Sequence, residues 1–488
     1  MNRKILYITI FCAYIMSVLA SCSDDDSFST SPYNQLTFEV DTLSLDTVFS
    51  TVPSPHKQFL VHNKSNDGIR IVNARLENGN QTGFRVNVCG TYLSEKLGYQ
   101  VHDLELRKGD SLRVFVELTS ANNLKTLPQL LSDNLIFTLE SGVQQKVNLK
   151  AWSWDAFILR NLIVNKDTTI SNLHGKPVVV YDSITVNENA TLNIAAGTTM
   201  YFHHNAGIRV EGTLKLLGEQ GNEITLRCDR LDRMVSNLTY DNNPGQWGGI
   251  RILPSSFDNT MTYTDLHGAC TAFRCDSSVN ATRPKLSIAN STIHNLKGSG
   301  VWAENCNISI ENSQISNAID SCLFFRGGNV NINNCTVVQY YPFDANRGPA
   351  LAFANAKTNI YMPLTMYIKN SIIKGYEDDV IYWSRGTLDS TLNVRIENSL
   401  LRTPKPLTKD SLMFVNCIYE NTNDTMTSGR NSFVMFDTDN FFYDFTPKSS
   451  SQAVKSANPA TSLPFDRNGK PRNVEFPDMG CFETPKEN

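Results

Sequence analysis

The 488-residue chain has no block of basic residues, and its 44 Lys and Arg against 48 Asp and Glu leave a formal charge of -4. Without a basic face to meet phosphates, nucleic acid is not expected as a partner. After the first twenty-odd residues no run is apolar enough to predict a membrane span. A Gly-rich phosphate loop, a His-Glu-x-x-His pair and a Gly-x-Ser-x-Gly elbow are all missing, which removes the commonest nucleotide, zinc-protease and serine-hydrolase chemistries. None of the 11 cysteines falls in Cys-x-x-Cys, so neither a metal nor a redox centre is expected from them. The eight histidines are scattered apart from His203-His204, a pair expected in a surface turn. What remains is 41% hydrophobic and 19% charged, enough apolar matter for a large core and, at this length, for two or more structural units.

The first residues are a separate element. Asn2-Arg3-Lys4 is basic, residues 5–19 are apolar, and Leu19-Ala20-Ser21-Cys22 follows, the pattern of a secretion signal to be excluded from the fold. Leu-Ala-Ser-Cys resembles a bacterial lipobox, which implies cleavage after residue 21 and lipidation of Cys22. Acyl chains contribute about 0.8 kcal/mol per buried methylene, so several chains anchor a domain firmly. Ser23-Asp24-Asp25-Asp26 and a Ser/Thr/Pro-rich stretch to residue 34 resemble the tether and surface-export signal of Bacteroidetes lipoproteins. That resemblance implies an outer-membrane, lipid-anchored protein facing the exterior. Removing Cys12 and Cys22 leaves nine cysteines, an odd number that requires a free thiol or an intermolecular bridge.

Over residues 35–155, short alternating runs such as Phe84-Arg85-Val86-Asn87-Val88 and Leu112-Arg113-Val114-Phe115-Val116 are separated by Asn, Gly and Asp clusters. This spacing predicts an antiparallel sandwich, and Lys108-Gly109-Asp110 before an apolar strand resembles the Ig-like domains that precede repeat regions in bacterial surface proteins.

Beyond residue 155 the sequence repeats itself. The apolar pairs Ile184/Val186, Leu192/Ile194 and Met200/Phe202 recur as Ile208/Val210, Leu214/Leu216 and Ile224/Leu226, at offsets of 24, 22 and 24. Three short strands per turn, none able to bury its own face, predict a parallel β-solenoid. A second signature, Ile-x-Asn-Ser/Cys-x-apolar, places Asn290, Asn312 and Asn334 at 22-residue steps and continues to Asn370 and Asn398. Asn tolerates the left-handed backbone of a tight corner, and stacked amides can bond to their neighbours. The series resembles the asparagine ladder of right-handed parallel β-helix proteins, the superfold that includes pectate lyases. Gly207-Ile208-Arg209-Val210 and Phe465-Asp466-Arg467-Asn468-Gly469 resemble the first coils and closing tail of secreted β-helix lipoproteins. The expected fold is therefore all-β: an Ig-like sandwich followed, over residues 160–483, by a right-handed parallel β-helix of about nine coils.

Such a scaffold does not define a reaction. β-helix lyases and galacturonases use several carboxylates with a metal or a basic residue on one outer face; the nearest equivalent is Asp320, Asp344, Arg347, Asp378 and Asp379, expected at corners before successive strands. They would be the catalytic set, with Ca²⁺ as the only conceivable cofactor, if the protein were a lyase or hydrolase of an acidic polysaccharide. Solvated turns are the alternative reading of the same residues. Aligned on the Asn positions, the following strands are apolar on both faces, with Trp302, Phe324, Tyr382 and Phe414 in one column. A doubly apolar strand must be covered or must bind something. The cover would be the insertions at 338–349, 354–366 and 384–393, the terminal domain, another chain or a ligand; an open column, flanked by Tyr340, Tyr341 and Arg385, would stack sugar rings. The preferred expectation is a non-catalytic surface lipoprotein, held to the membrane by its lipid, that binds a polysaccharide or another surface protein and uses no cofactor or resident metal. A structural spacer is the third possibility.

Eight Asp-Ser/Thr steps followed by an aliphatic residue or Thr resemble the O-glycosylation sequon of Bacteroidetes secreted proteins and imply sugars on Thr42, Thr47, Ser111, Thr168, Ser183, Ser390, Ser411 and Thr425.

Overall fold

The computed structural model describes residues 27–172, 175–358, 360–386 and 392–484. The signal segment, Cys22 and Ser390 lie outside these residues. No helix among the described residues is long and apolar enough to cross a membrane.

The chain divides into two compact units between residues 155 and 156. The first is a sandwich of two five-stranded sheets. Its strands alternate as the sequence does: in Phe84–Val88 the Phe and Val side chains are buried and Arg85 and Asn87 are partly exposed. Phe59, Val61, Val86, Val114 and Phe137 meet in the core between the sheets. The expected tether to residue 34 is in part docked, because Phe28 bridges to Gly68 and carries the Arg70 guanidinium 4.9 Å from its ring centre.

The second unit is a parallel β-helix built on a sheet of 26 strands. Successive coils stack their strands in three rows. Row one includes Ile224–Cys228, Thr264–His267, Thr292–Leu296 and Ile372–Gly375. Row two includes Gly207–Val210, Trp247–Ile252, Ala269–Cys275, Leu351–Ala354 and Ile381–Ser384. Row three includes Pro284–Ala289, Leu364–Lys369 and Leu392–Glu397. The long strands Val301–Glu311 and Leu323–Asn333 serve rows two and three in turn. Inward side chains repeat coil by coil, so Ile288, Ile310, Ile332, Ile368 and Ile396 form one buried column. One expected register is wrong: Met200 lies opposite Leu226, not Ile224. The reverse turn that brings Asn222 N–H to the Glu219 carbonyl lengthens that coil by two residues.

All five ladder asparagines have left-handed backbone, φ between 46° and 50°. The coil-to-coil bonds come from the next residue. Ser371 N–H donates to Ser399 Oγ at 3.1 Å, and Ser371 Oγ in turn accepts from Cys335 N–H at 3.1 Å. The Ser291 N–H to Ser313 Oγ bond is equivalent. Where Cys replaces Ser, the thiol of Cys335 donates back to the Ile310 carbonyl at 3.4 Å. The amides of Asn312, Asn334 and Asn370 do not join one another, as expected above, but hold residues 458–472, which run along this corner. Asn290 and Asn398, which the strap does not bond, are half-buried.

Candidate functional site

The three rows meet solvent differently. Outward positions of row three, such as Ser287, Ser309 and Asn331, are polar, as a water-facing strand should be. The later coils of row one are covered: Val338, Tyr340, Ile372 and Leu400 pack against Phe433, Phe445 and Met479, and the fully buried Lys374 is paired with Glu420 and donates to Ser432 Oγ at 2.5 Å.

Row two carries an unusual outer column. Pairing registers place Arg209, Arg251, Arg274, Trp302, Phe324, Ala352 and Tyr382 opposite one another on successive coils. Their inward neighbours Val301, Leu323, Phe325 and Leu351 are in the core. The rings of Trp302 and Phe324 stack at 5.8 Å and 12°, and the Arg274 guanidinium lies 4.7 Å from the Trp302 ring centre. Arg326 sits similarly over Phe324 at 5.0 Å and pairs with Glu304. Trp302 and Phe324 are half-buried and Tyr382 is 53% exposed, so the described residues of the insertions do not close over this column. The side chains of Arg209, Arg251 and Arg274 are 48%, 52% and 54% exposed. They lean on Glu211 and Asp276, which offset part of their charge.

Tyr340, Tyr341 and Phe414, also expected at this face, are elsewhere. Tyr340 and Tyr341 are buried, Tyr340 among Tyr376, Phe436 and Phe445. Phe414 belongs to row three, opposite Ile396, because residues 402–413 leave the helix instead of forming a row-two strand. Arg385 pairs with Asp410. The proposed carboxylates do not converge. Asp378 binds Arg402 at 2.8 Å, Asp379 accepts from Thr403 Oγ1 at 2.7 Å, and Asp344 caps the Asn346 N–H at 2.8 Å. Arg347 donates to the Tyr341 carbonyl at 2.6 Å. Asp320 stands exposed at its corner, and desolvation by the neighbouring protein raises its carboxyl above the usual value. These are corner and loop contacts. Of the expected glycosylation positions, Thr42, Ser111, Ser411 and Thr425 are exposed and Thr47, Thr168 and Ser183 half-buried.

Two groups escaped the sequence reading. The arginine column was visible in Ile-Arg-Val, Ile-Arg-Ile and Phe-Arg-Cys, but only the pairing registers align them. The second group lies on row one. His267 Nδ1 is 2.7 Å from Asp265 Oδ1, and its Nε2 is 2.9 Å from Asp241 Oδ1. Arg227 Nε reaches the same Asp241 oxygen at 2.8 Å, and His294 Nε2 is 3.2 Å from Asp265 Oδ1. Burial opposes a charge on His267, but Asp265 and Asp241 outweigh it and push its pKa up to about 10. Burial likewise opposes ionisation of Asp265, and His267 and His294 hold it well below the usual carboxylate range. The ligand atoms of Asp265, His267 and His294 lie within 4.8 Å of one another. The loop at 276–283 stretches the coil from His267 to His294 to 27 residues, against 22 in the next coil, and hides their alignment. His203, at the start of the turn expected there, is 2.7 Å from Asp229 and stacks on Tyr181 at 4.3 Å.

No family model matches the chain, and no curated protein matches it in sequence. Solved structures with similarity include pectate lyase Pel9A, at 13% identity and TM-score 0.30 over 68% of this chain and 88% of that one. The catalytic domain of a GH87 α-1,3-glucanase is similar at 9% identity and TM-score 0.22, over 75% and 87%. A family 123 glycoside hydrolase from Clostridium perfringens matches at 6% and TM-score 0.18 over 26% of this chain, which spans only 30% of that enzyme.

Proposed function

We propose that this chain is a lipid-anchored protein of the outer cell surface whose β-helix binds a glycan along row two, without cleaving it. The observation that carries the reading is the outward column from Arg209 to Tyr382, in which exposed arginines pass directly into stacked aromatic rings. Coils about 4.8 Å apart give such a column the length of several sugar units. Aromatic faces suit the apolar side of a pyranose, and guanidinium groups form paired bonds with carboxylate or sulfate, so the favoured ligand is an acidic polysaccharide. The lipobox and the acidic tether support the anchor and the outward orientation, and the exposed Asp-Ser/Thr positions support O-glycosylation.

The test is a glycan array with the purified chain, followed by titration of acidic and neutral polysaccharides at two salt concentrations. We expect binding to acidic glycans that weakens with salt and is lost in Trp302→Ala and Arg274→Ala. Failure to bind any glycan, or binding indifferent to both substitutions, removes the proposal; cleavage of a polysaccharide abolished by Asp378→Asn or Asp379→Asn would establish the enzyme alternative.

A further inference from the structure

We propose that Asp265, His267 and His294 form a binding site for one divalent transition-metal ion of the zinc class, supported from behind by Asp241 and Arg227. The site is on row one and does not depend on the glycan reading.

The backbone supplies the alignment. Asp265 and His267 are two residues apart on Thr264–His267, so both project outward, and parallel pairing sets His294 directly opposite His267 on the next coil. Two imidazole nitrogens therefore converge on one carboxylate oxygen, at 2.7 and 3.2 Å. In a tetrahedral zinc site, bonds of about 2.0–2.2 Å leave ligand atoms roughly 3.3 Å apart. The present group, all within 4.8 Å, needs only side-chain rotation to reach that. One oxygen and two imidazole nitrogens suit Zn²⁺, Co²⁺ or Ni²⁺ better than Ca²⁺, which prefers oxygen alone.

A second observation is independent of the ligand atoms. Metal-binding histidines characteristically give their other ring N–H to a carboxylate that fixes the ring. Here Asp241 takes that part at His267 Nε2, and Arg227 holds Asp241 in turn. The ring is thereby oriented with Nδ1 toward Asp265 and His294. On binding, the ion replaces the proton shared by His267 Nδ1 and Asp265, and that proton passes to solvent. Asp265 and His294 keep 34% and 23% of their side-chain surface exposed, which leaves coordination positions open to water or to a ligand.

The experiment uses the full chain, stripped with EDTA and titrated with Co²⁺ by visible absorption, with Zn²⁺ as competitor. One equivalent of Co²⁺ should give ligand-field bands that Zn²⁺ abolishes. His294→Gln should lose the bands, Asp241→Asn should weaken affinity about 10- to 100-fold, and His203→Gln should match the parent. Metal-free melting curves confirm that each variant is folded; should His294→Gln fail that check, Asp265→Asn replaces it with the same expected loss. Absence of bands at any Co²⁺ concentration, or unchanged titration in a folded ligand variant, overturns the proposal.

Discussion

Asn334 Oδ1 accepts the backbone N–H of Leu463 at 3.0 Å, joining the corner of a coil to a residue 129 positions later. The bond is one rung of a series: Asn370 Oδ1 accepts from Asn458 N–H at 2.9 Å, and Asn312 donates to the Phe465 carbonyl at 2.7 Å and accepts from Arg472 at 2.9 Å. The ladder is thus the docking edge for the C-terminal strap, while the adjacent hydroxyls tie coil to coil.

Asn334→Ala should therefore cost more than Asn290→Ala. Both replace a left-handed Asn, at about 1–2 kcal/mol, but only the first strands the Leu463 N–H, adding about 1–3 kcal/mol. Urea unfolding of the two variants checks this; equal losses would mean that the strap is not held by the ladder amides.

Tyr382→Ala should melt within about 0.5 kcal/mol of the parent, since that side chain is half in solvent. Phe353→Ala, on the preceding coil and one register position further along, faces the core at 2% exposure and should cost about 3–5 kcal/mol. Comparable losses from the two would place Tyr382 beneath a cover and remove it from the binding column.

The nine described cysteines are all unpaired in the fold, and Cys89 is exposed. Burial pushes the thiols of Cys228 and Cys322 up to about 12. Alkylation of the native protein at pH 8 should modify Cys89 first and leave Cys228 and Cys322 untouched until the chain is unfolded, as peptide mapping would reveal.

The Asp229 hydrogen bond raises the pKa of His203 above its ordinary value. A raised folded-state pKa means that protonation stabilises the fold. That contribution is fully present below the unfolded value of about 6.5 and is lost as pH rises through the folded value. NMR titration should place His203 above 6.5 in the parent and nearer to it in Asp229→Asn.

If Cys22 is lipidated and the protein faces outward, as proposed, protease added to intact cells should degrade it. Degradation only after lysis would contradict the orientation, and recovery of unlipidated Cys22 in the mature chain would contradict the anchor.

Much of this molecule is legible in its sequence because a solenoid turns linear period into stacking. The left-handed corners at Asn290 to Asn398, the Ile288 to Ile396 column and the alternating strands of the sandwich depend on local backbone preference and on which face is apolar, and both are written residue by residue. What the tertiary structure alone decided lies where the period is interrupted. The loop at 276–283 stretches the coil between His267 and His294 to 27 residues, so the 22-residue spacing does not reveal that they stand side by side. The chain leaves the helix at residues 402–413, which removes Phe414 from the aromatic column. The strap at 458–472 finds the asparagine corner across 88 to 160 residues, a contact set by where the last coil ends and not by any local propensity.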